Sequence, residues 1–407
     1  MGYSGKAIKG IGWAGVLQVA LKGTSLIKFI IIAKFLSPAE FGLFGIALLT
    51  IGFFQAMTET GISAYLVQTQ ETEEDFVSSA WIVSIIRGFL LFVLTILVAY
   101  PVSVFFNSKA SFAVILAAGL VPLISGLENP SVAKFQRYLD FHKEFFFRSL
   151  ISVFDLLFSA TLIIIYKSSL ALVVALIFST LFETFLSFMF IKPRPKLIYE
   201  IEKIRKLFHF GKWLTLISGM NYFVEQMDSI VVGKILGVES LGIYEMAQKF
   251  SLQIMIDAGN VFSKVTFPLF SRIKTDNDRT KRALYRILLL VSLIFGFMTI
   301  ILFVFSKEIL LMFAGTKWLS ANIPLKIFSL TGLITAFMAI ITSLFLAHAR
   351  QDITAKILMG RLLILAVLII PASMHFGIIG TSSASFLSYL LVLPIAVWGL
   401  KQVFKSR

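Results

Sequence analysis

The sequence predicts an all-α polytopic membrane protein of about twelve transmembrane helices in two pseudo-symmetric six-helix bundles. Three observations predict it. Of 407 residues, 58% are hydrophobic and only 14% charged, with a mean hydropathy of +0.90, whereas soluble domains carry about 25% charged residues. So few charges beside 42 phenylalanines cannot cover the surface of a water-soluble protein of this size. Apolar stretches long enough to cross a bilayer recur along the whole chain. Finally, the second half repeats the first at a constant offset of 200 residues.

A membrane helix needs about 20 mostly apolar residues. Such stretches run over 11–36, 41–66, 79–106, 110–130, 146–166, 169–191, 209–236, 240–267, 284–306, 319–347, 354–373 and 376–400. Short breaks such as Ser37-Pro38, Asn107-Ser108, Lys167-Ser168 and Gly237-Val238 separate them. The basic start of span one, Lys6 and Lys9, resembles a signal peptide. Its apolar part is long, holds Lys22 and Lys28 and lacks a small-x-small cleavage site, so it reads as a retained helix.

Lysine and arginine set the orientation. The segment between spans six and seven carries Lys192, Arg194, Lys196, Lys203, Arg205, Lys206 and Lys212. That between spans eight and nine carries Arg272, Lys274, Arg279, Lys281, Arg282 and Arg286, and Lys134, Arg137, Lys143 and Arg148 lie between four and five. Lys401, Lys405 and Arg407 end the chain, while the alternate loops hold only Lys109, Lys167, Lys307 and Lys317. Both termini are therefore expected on the cytoplasmic side. The acidic loop Glu71, Glu73, Glu74 and Asp75 opposes this, but acidic residues count little in the rule. Most of the net charge of +15 is then loop charge facing anionic headgroups, and no nucleic-acid partner is expected.

The chain has no cysteine, which removes disulfides, thiolate metal sites and cysteine nucleophiles. Its histidines, His142, His209, His348 and His375, are scattered, and neither a zinc-binding HExxH nor a phosphate-binding P-loop is present. No cofactor and no metal are expected.

Residues 1–195 and 209–407 each hold six spans, and the charged stretch 196–208 reads as a cytoplasmic linker. Within that region Lys203–Lys212 is expected as a short helix on the membrane surface. At the offset of 200, Trp13 matches Trp213, and Ile30, Lys34, Leu36, Gly42 and Ala47 match Ile230, Lys234, Leu236, Gly242 and Ala247. Phe41, Leu43 and Phe44 align with Leu241, Ile243 and Tyr244. Matched tryptophan, lysine and glycine at one offset are hard to obtain by chance in apolar sequence. An even number of spans per half makes this a parallel repeat, a common transporter plan with the substrate site expected between the halves.

The stretch Ile30-Ile-Ile-Ala-Lys-Phe-Leu-Ser-Pro-Ala-Glu-Phe-Gly-Leu-Phe44 resembles the first hairpin of polysaccharide-lipid (Wzx-like) flippases, as does Glu59-Thr-Gly-Ile-Ser-Ala-Tyr-Leu-Val-Gln68 after it. These belong to the multidrug/oligosaccharidyl-lipid/polysaccharide exporter superfamily. The resemblance implies flipping of a polyprenyl-pyrophosphate-linked oligosaccharide, a polysaccharide or lipopolysaccharide repeat unit, from the cytoplasmic to the outer leaflet by alternating access. The implied location is a bacterial or archaeal cytoplasmic (inner) membrane. The implied partners are the lipid-linked oligosaccharide, membrane lipids, and a monovalent cation or a proton as coupling ion.

Charges within the spans are the candidate site, because a charge at the bilayer centre costs about 2.5–3.5 kcal/mol on insertion scales. Lys22 lies roughly 16 Å into span one, near the midplane, with Lys28 further out. Arg87 lies in span three and Glu59 in the inner half of span two; Asp155, Glu183 and Arg361 occupy spans five, six and eleven. Span seven carries Glu225 and Asp228, three apart and so on one face, with Asn221, Tyr222 and Gln226 beside them. Span eight carries Glu245 and Lys249, four apart, then Asp257. The expected transport pathway is Lys22, Lys28, Arg87, Glu59, Tyr222, Gln226 and Lys249. Glu225, Asp228 and Asp257 are the expected ion-coupling carboxylates, and no residue is expected to be catalytic. Lysines suit a pyrophosphate, and amides, hydroxyls and aromatic faces suit sugars. Lys28 and Asp228, equivalent in the repeat, are expected to face one cavity and to pair in one state. The bland reading of Glu245 and Lys249 is mutual neutralisation on one helix face. That of Arg361 and Glu128 is snorkelling to the cytoplasmic interface, and that of Lys34 and Lys234 is the outer interface.

An ion-coupled drug or metabolite antiporter of the same superfamily is the nearest rival, favoured by a cavity of acids and aromatics. Deep lysines argue instead for an anionic cargo. A polyprenol-dependent membrane glycosyltransferase or polymerase would need acidic groups in a sizeable outer loop. The outer loops here span only a few residues, except near 307–318. The protein is therefore expected not to be an enzyme.

Overall fold

The computed structural model describes residues 3–68, 73–198 and 200–405, all of them helical or in connections. Glu71 and Arg407, two residues of the charge argument, lie outside the described residues, as do the side chains of Lys6, Lys9, Glu73, Glu74 and Asp75. In chain order the helices begin with α1 (Tyr3–Phe35), α2 (Pro38–Met57), α3 (Ile62–Gln68), α4 (Glu73–Phe105), α5 (Lys109–Ala118) and α6 (Leu120–Ser125). A short 3₁₀ turn (Pro130–Ala133) leads into α7 (Lys134–Arg137), followed by α8 (Phe141–Tyr166), α9 (Ser169–Phe190) and α10 (Ile201–Leu236). Then come α11 (Val238–Gln248), a π turn (Lys249–Gln253), α12 (Ile254–Ile273), α13 (Asn277–Val304) and α14 (Ser306–Phe313). After a 3₁₀ turn (Thr316–Ala321), α15 (Asn322–Ala347), α16 (Gln351–Leu391) and α17 (Leu393–Lys405) complete the chain.

Among the described residues, 8 helices are long and apolar enough to cross a membrane, or up to 9 if the pair Lys109–Ser125 and Pro130–Arg137, bent by 70°, is one span. Gln351–Lys405 counts as one of these although it is 55 residues long. It is bent at Gly377, whose φ of 59° and ψ of −143° lie where side chains are poorly tolerated. Splitting it there, and adding α10 and the α11–α12 segment, recovers the expected twelve. Large apolar side chains point outward on most of these helices, among them Phe89, Leu97, Leu157, Phe185, Phe297 and Val367. Water would not tolerate such a surface, and lipid does. The protein is a multi-pass helical membrane protein.

Two departures from expectation have local causes. Span four is not straight: Gly119 and Gly126 flank α6, and Asn129-Pro130 then turns the chain, the Asn129 side-chain Oδ1 accepting from the Ser131 amide at 3.0 Å. Proline at the first position of the new turn needs no amide donor. Residues 203–212, expected as a separate surface helix, are continuous with α10. Lys203 and Lys206 there lie over the Phe76 ring at 5.7 Å each, and Leu207 is buried, so packing holds this part in the long helix.

The chain divides into two compact units, Met1–Met227 and Asp228–Arg407. In the first, α1 packs along α8, α8 along α9, and α4 against α5 and α6. The crossing of α4 and α6 is close because both contact residues are glycines: a Cβ on Gly88 would stand 2.6 Å from the Pro122 carbonyl oxygen, and one on Gly126 2.6 Å from that of Ser84. In the second unit, α15 is central and packs on α12, α13 and α16. Its Ala336, Ile340 and Leu344 meet Met255, Phe270, Val291 and Phe295 in the core.

The sequence repeat is visible in the helix boundaries. α1 ends at Phe35 and α2 begins at Pro38; α10 ends at Leu236 and α11 begins at Val238. Ser37 caps α2 by accepting from the Glu40 amide at 3.3 Å. Gly237, with φ 86°, makes the corresponding turn without a side-chain cap.

Candidate functional site

Span two breaks after Met57, where Gly61 takes a φ of 63° between α2 and α3. The break exposes polar backbone inside the first unit, and side chains gather on it. Glu59 Oε1 accepts from the Gly61 amide at 3.0 Å. From α4, Arg87 Nε donates to Thr58 Oγ1 at 3.1 Å and Nη2 to the Gln55 carbonyl at 2.9 Å. Nη2 also faces Glu59 Oε2 at 3.6 Å. Arg87 and Glu59, both expected in the pathway, are thus brought together, with the arginine closing carbonyl and hydroxyl groups left by the helix end.

They line a polar cavity of about 270 Å³ whose opposite wall comes from the bend of span four and from α8. Glu128, Asn129, Gln136 and Arg148 form that wall. Arg148 Nη1 meets Glu183 Oε1 at 3.3 Å, and its Nε meets Glu144 Oε1 at 3.5 Å. Gln136 donates to the same Glu144 oxygen at 3.4 Å. Asn129 is fully buried, its amide nitrogen donating to the carbonyls of Ile191 and Pro193 at 3.2 Å each. Gln136 and Glu144 escaped the sequence reading because they lie between the expected spans four and five, and Asn129 because it is an uncharged residue at the end of span four. The Asn-Pro dipeptide was the available signal. A second, apolar cavity of about 460 Å³ adjoins this one between α2, α4 and the start of α10. Both cavities are lined by Glu59, Thr60 and Arg87.

Lys28 is held elsewhere in the unit. Its Nζ reaches Asp155 Oδ1 at 2.8 Å and Oδ2 at 2.7 Å. Asp155 also accepts from Ser179 at 2.8 Å and from Ser159 at 3.3 Å. One turn earlier on each helix, the hydroxyls of Thr24 and Ser152 are hydrogen-bonded. Lys22 is exposed on α1. Tyr222 donates its hydroxyl to the Leu49 carbonyl, with its ring against Phe53 at 5.9 Å.

In the second unit Asp228 is buried, accepting from the Tyr244 hydroxyl at 2.8 Å and from the Ser229 amide at 2.8 Å. Lys28 and Asp228, expected to pair in one state, are engaged separately in this structure, the lysine with Asp155 and the aspartate with Tyr244. Glu225 and Asp228, three apart, differ in surroundings: Glu225 is exposed, Gln226 half-buried and Asp228 buried. Three residues turn a helix by about 300°, which separates the two carboxylates by about 60°. Lys249 pairs with Glu245 at 3.3 Å, the bland arrangement for that spacing. Gln253 donates to Asp257 at 3.2 Å. The π turn between these pairs has no signature in residue spacing, yet such turns concentrate at functional positions. Arg361 sits over the Tyr389 ring with its guanidinium carbon 3.9 Å from the centroid.

Known proteins place this arrangement. The Escherichia coli K12 protein named lipopolysaccharide biosynthesis protein WzxC is 24% identical over 393 residues, covering 95% of this chain and 78% of that one. Among solved structures, the lipid II flippase MurJ in an inward closed conformation aligns with a TM-score of 0.74 at 16% identity, covering 98% of this chain and 89% of that one. A multidrug resistance MATE family transporter of the MOP superfamily, inward-facing, aligns with a TM-score of 0.73 at 12% identity, covering 95% and 96%. At such identities these two likenesses show the fold. The family described as "Polysaccharide biosynthesis protein" matches residues 31–323, most of the chain. The protein belongs to that polysaccharide biosynthesis family.

Proposed function

We propose that this protein moves a polyprenyl-pyrophosphate-linked oligosaccharide from the cytoplasmic to the outer leaflet of a prokaryotic cytoplasmic membrane by alternating access. The observation that carries this reading is a polar, arginine-bearing cavity inside an apolar bundle of a polysaccharide biosynthesis protein. Building a surface polysaccharide from lipid-linked units requires a step in which a hydroxyl-rich head crosses hydrocarbon. That head cannot cross unaided, because unpaired polar groups are costly in lipid. Cations for the pyrophosphate, and amides and hydroxyls for the sugars, lower the cost. The names of the similar proteins, a lipopolysaccharide biosynthesis protein and a lipid II flippase, support the reading. In it the protein transports and does not catalyse, and both termini are cytoplasmic. Asp228, buried against Tyr244, is the carboxylate best placed for coupling to a cation or proton.

The test is transport by the purified protein in proteoliposomes. A prenyl-pyrophosphate-linked disaccharide with a fluorescent sugar is placed in both leaflets, and an impermeant reducing agent reports the outer one. The expected result is protein-dependent exchange between leaflets. Exchange no faster than in protein-free vesicles, with or without an imposed ion gradient, overturns the proposal; efflux of a cationic dye in its place would favour the antiporter reading.

A further inference from the structure

The two cavities of the first unit differ in chemistry and meet at one arginine. The polar one holds Arg87 and Arg148 against Glu59 and Glu128, balanced in formal charge and rich in donors and acceptors. Such a lining suits a neutral polyhydroxyl group better than an isolated anion. The apolar one is walled by Met57, Val83, Ile86, Leu90 and Ile204. Ile86 and Leu90 are 60% and 46% exposed, so this cleft opens on the outward, lipid-compatible face of α4. Lys212 stands at its edge. Of the five N–H donors of Arg87, those on Nε and Nη2 reach Thr58 and Gln55. Its approach to Glu59, at 3.6 Å, is longer than a charge-assisted hydrogen bond. A phosphate at this point would therefore compete only with a long ion pair.

Read along one line, the order is apolar cleft, cation, neutral polar cavity. A molecule of matching order has an apolar chain, an anionic link and a sugar. We propose that the two cavities form one docking site for the lipid-linked sugar at this end of the first unit. The prenyl chain lies in the cleft against Ile86 and Leu90, the pyrophosphate at Arg87 with Lys212 nearby, and the proximal sugar among Glu128, Gln136 and Arg148. The proposal rests on the flippase reading for the identity of the cargo. It adds where the cargo is first held and which residue reads its anionic link.

The test uses the full-length protein in nanodiscs and a prenyl-pyrophosphate-linked N-acetylglucosamine carrying a photoreactive group on its prenyl chain. Crosslinked peptides are expected from the Ile86–Leu90 stretch or around Ile204. Leu90→Trp fills the cleft from an exposed position, and Arg87→Gln removes the cation; each is expected to weaken binding at least tenfold. Arg87→Lys keeps the charge and is expected to lose less. Folding is followed by gel filtration, and Leu90→Trp guards against an arginine variant that does not fold. Crosslinks confined to other helices, unchanged affinity in both variants, or equal competition by phosphatidylglycerol would each overturn the site, the last by making it a bulk-lipid groove. If the parental protein exchanges the probe between leaflets while both variants bind and exchange it normally, the site falls and the flippase reading stands. A parental protein that neither binds nor moves the probe overturns both.

Discussion

Removing the carboxylate of Asp155 should destabilise the first unit more than removing the lysine it holds. The ion pair has two short contacts, 2.8 and 2.7 Å, and its side chains are 22% and 25% exposed. Breaking a fully buried pair by deleting one partner costs about 3–5 kcal/mol. With roughly a quarter of each side chain exposed, about 2–3 kcal/mol is expected for Asp155→Ala. That variant strands an ammonium and deprives Ser179 and Ser159 of their acceptor. Lys28→Ala leaves Asp155 with both hydroxyl donors, so a smaller loss of about 1–2 kcal/mol is expected, near the value of one hydrogen bond to a charged group. The double variant has no stranded charge and should lose less than the sum, with a coupling of about 1–2 kcal/mol. The assay is denaturant unfolding of the detergent-solubilised protein in a double-mutant cycle. Losses that add to within about 0.5 kcal/mol would refute the pairing, because independent sites behave that way.

Gly88→Ala should lower the unfolding midpoint by an amount equivalent to about 1–3 kcal/mol, since its Cβ would meet a backbone oxygen at 2.6 Å and α4 or α6 must shift. Gly23→Ala, with nothing within 4 Å, should be neutral or gain up to about 1 kcal/mol in the same unfolding assay. Asn129→Ala should cost about 1–3 kcal/mol, because the Ile191 and Pro193 carbonyls lose a buried donor; a midpoint unchanged from the parent would contradict it. The chain contains no cysteine, so single cysteines report topology cleanly. Those at Ser37, Ser108 and Ser168 should react with an impermeant thiol reagent from outside the cell, and one at Ser271 should not. External labelling at Ser271 would reverse the proposed orientation.

What could be read in advance follows from the range of the interactions. Spans are local: a run of apolar residues reports its own length, which is why the twelve segments were legible. Even the division near Gly377 was legible, since the apolar run there was too long for one crossing. The bend at Asn129 was not, because apolar sequence continues to Gly126 and the turn depends on the buried amide of Asn129 reaching Ile191 and Pro193. Charged residues announced themselves by their cost in lipid, but partners did not. Lys28 and Asp155 are 127 residues apart, and Arg87 on α4 meets Glu59 in the break between α2 and α3, so only packing could pair them. Helical spacing put Glu225 and Asp228 on one face; it could not tell that the neighbouring Tyr244 would bury only the second.

The π turn at Lys249–Gln253 has a geometric consequence. An i,i+4 pair lies on each side of it, Glu245 with Lys249 before and Gln253 with Asp257 after. A π turn accommodates one residue more than the α-helix would, and one residue is worth about 100° of rotation. A helical wheel drawn straight through this segment therefore misplaces every side chain of α12 by about that angle. Deleting a single residue here would let the segment close into a regular α-helix with the rest of α12 left in its present orientation. Regular α geometry at the present length would instead swing Asp257, Met255 and the rest of α12 around its axis and take Met255 and Phe270 out of the core they share with α15. The π turn thus absorbs the extra residue locally and keeps the second unit packed as it is.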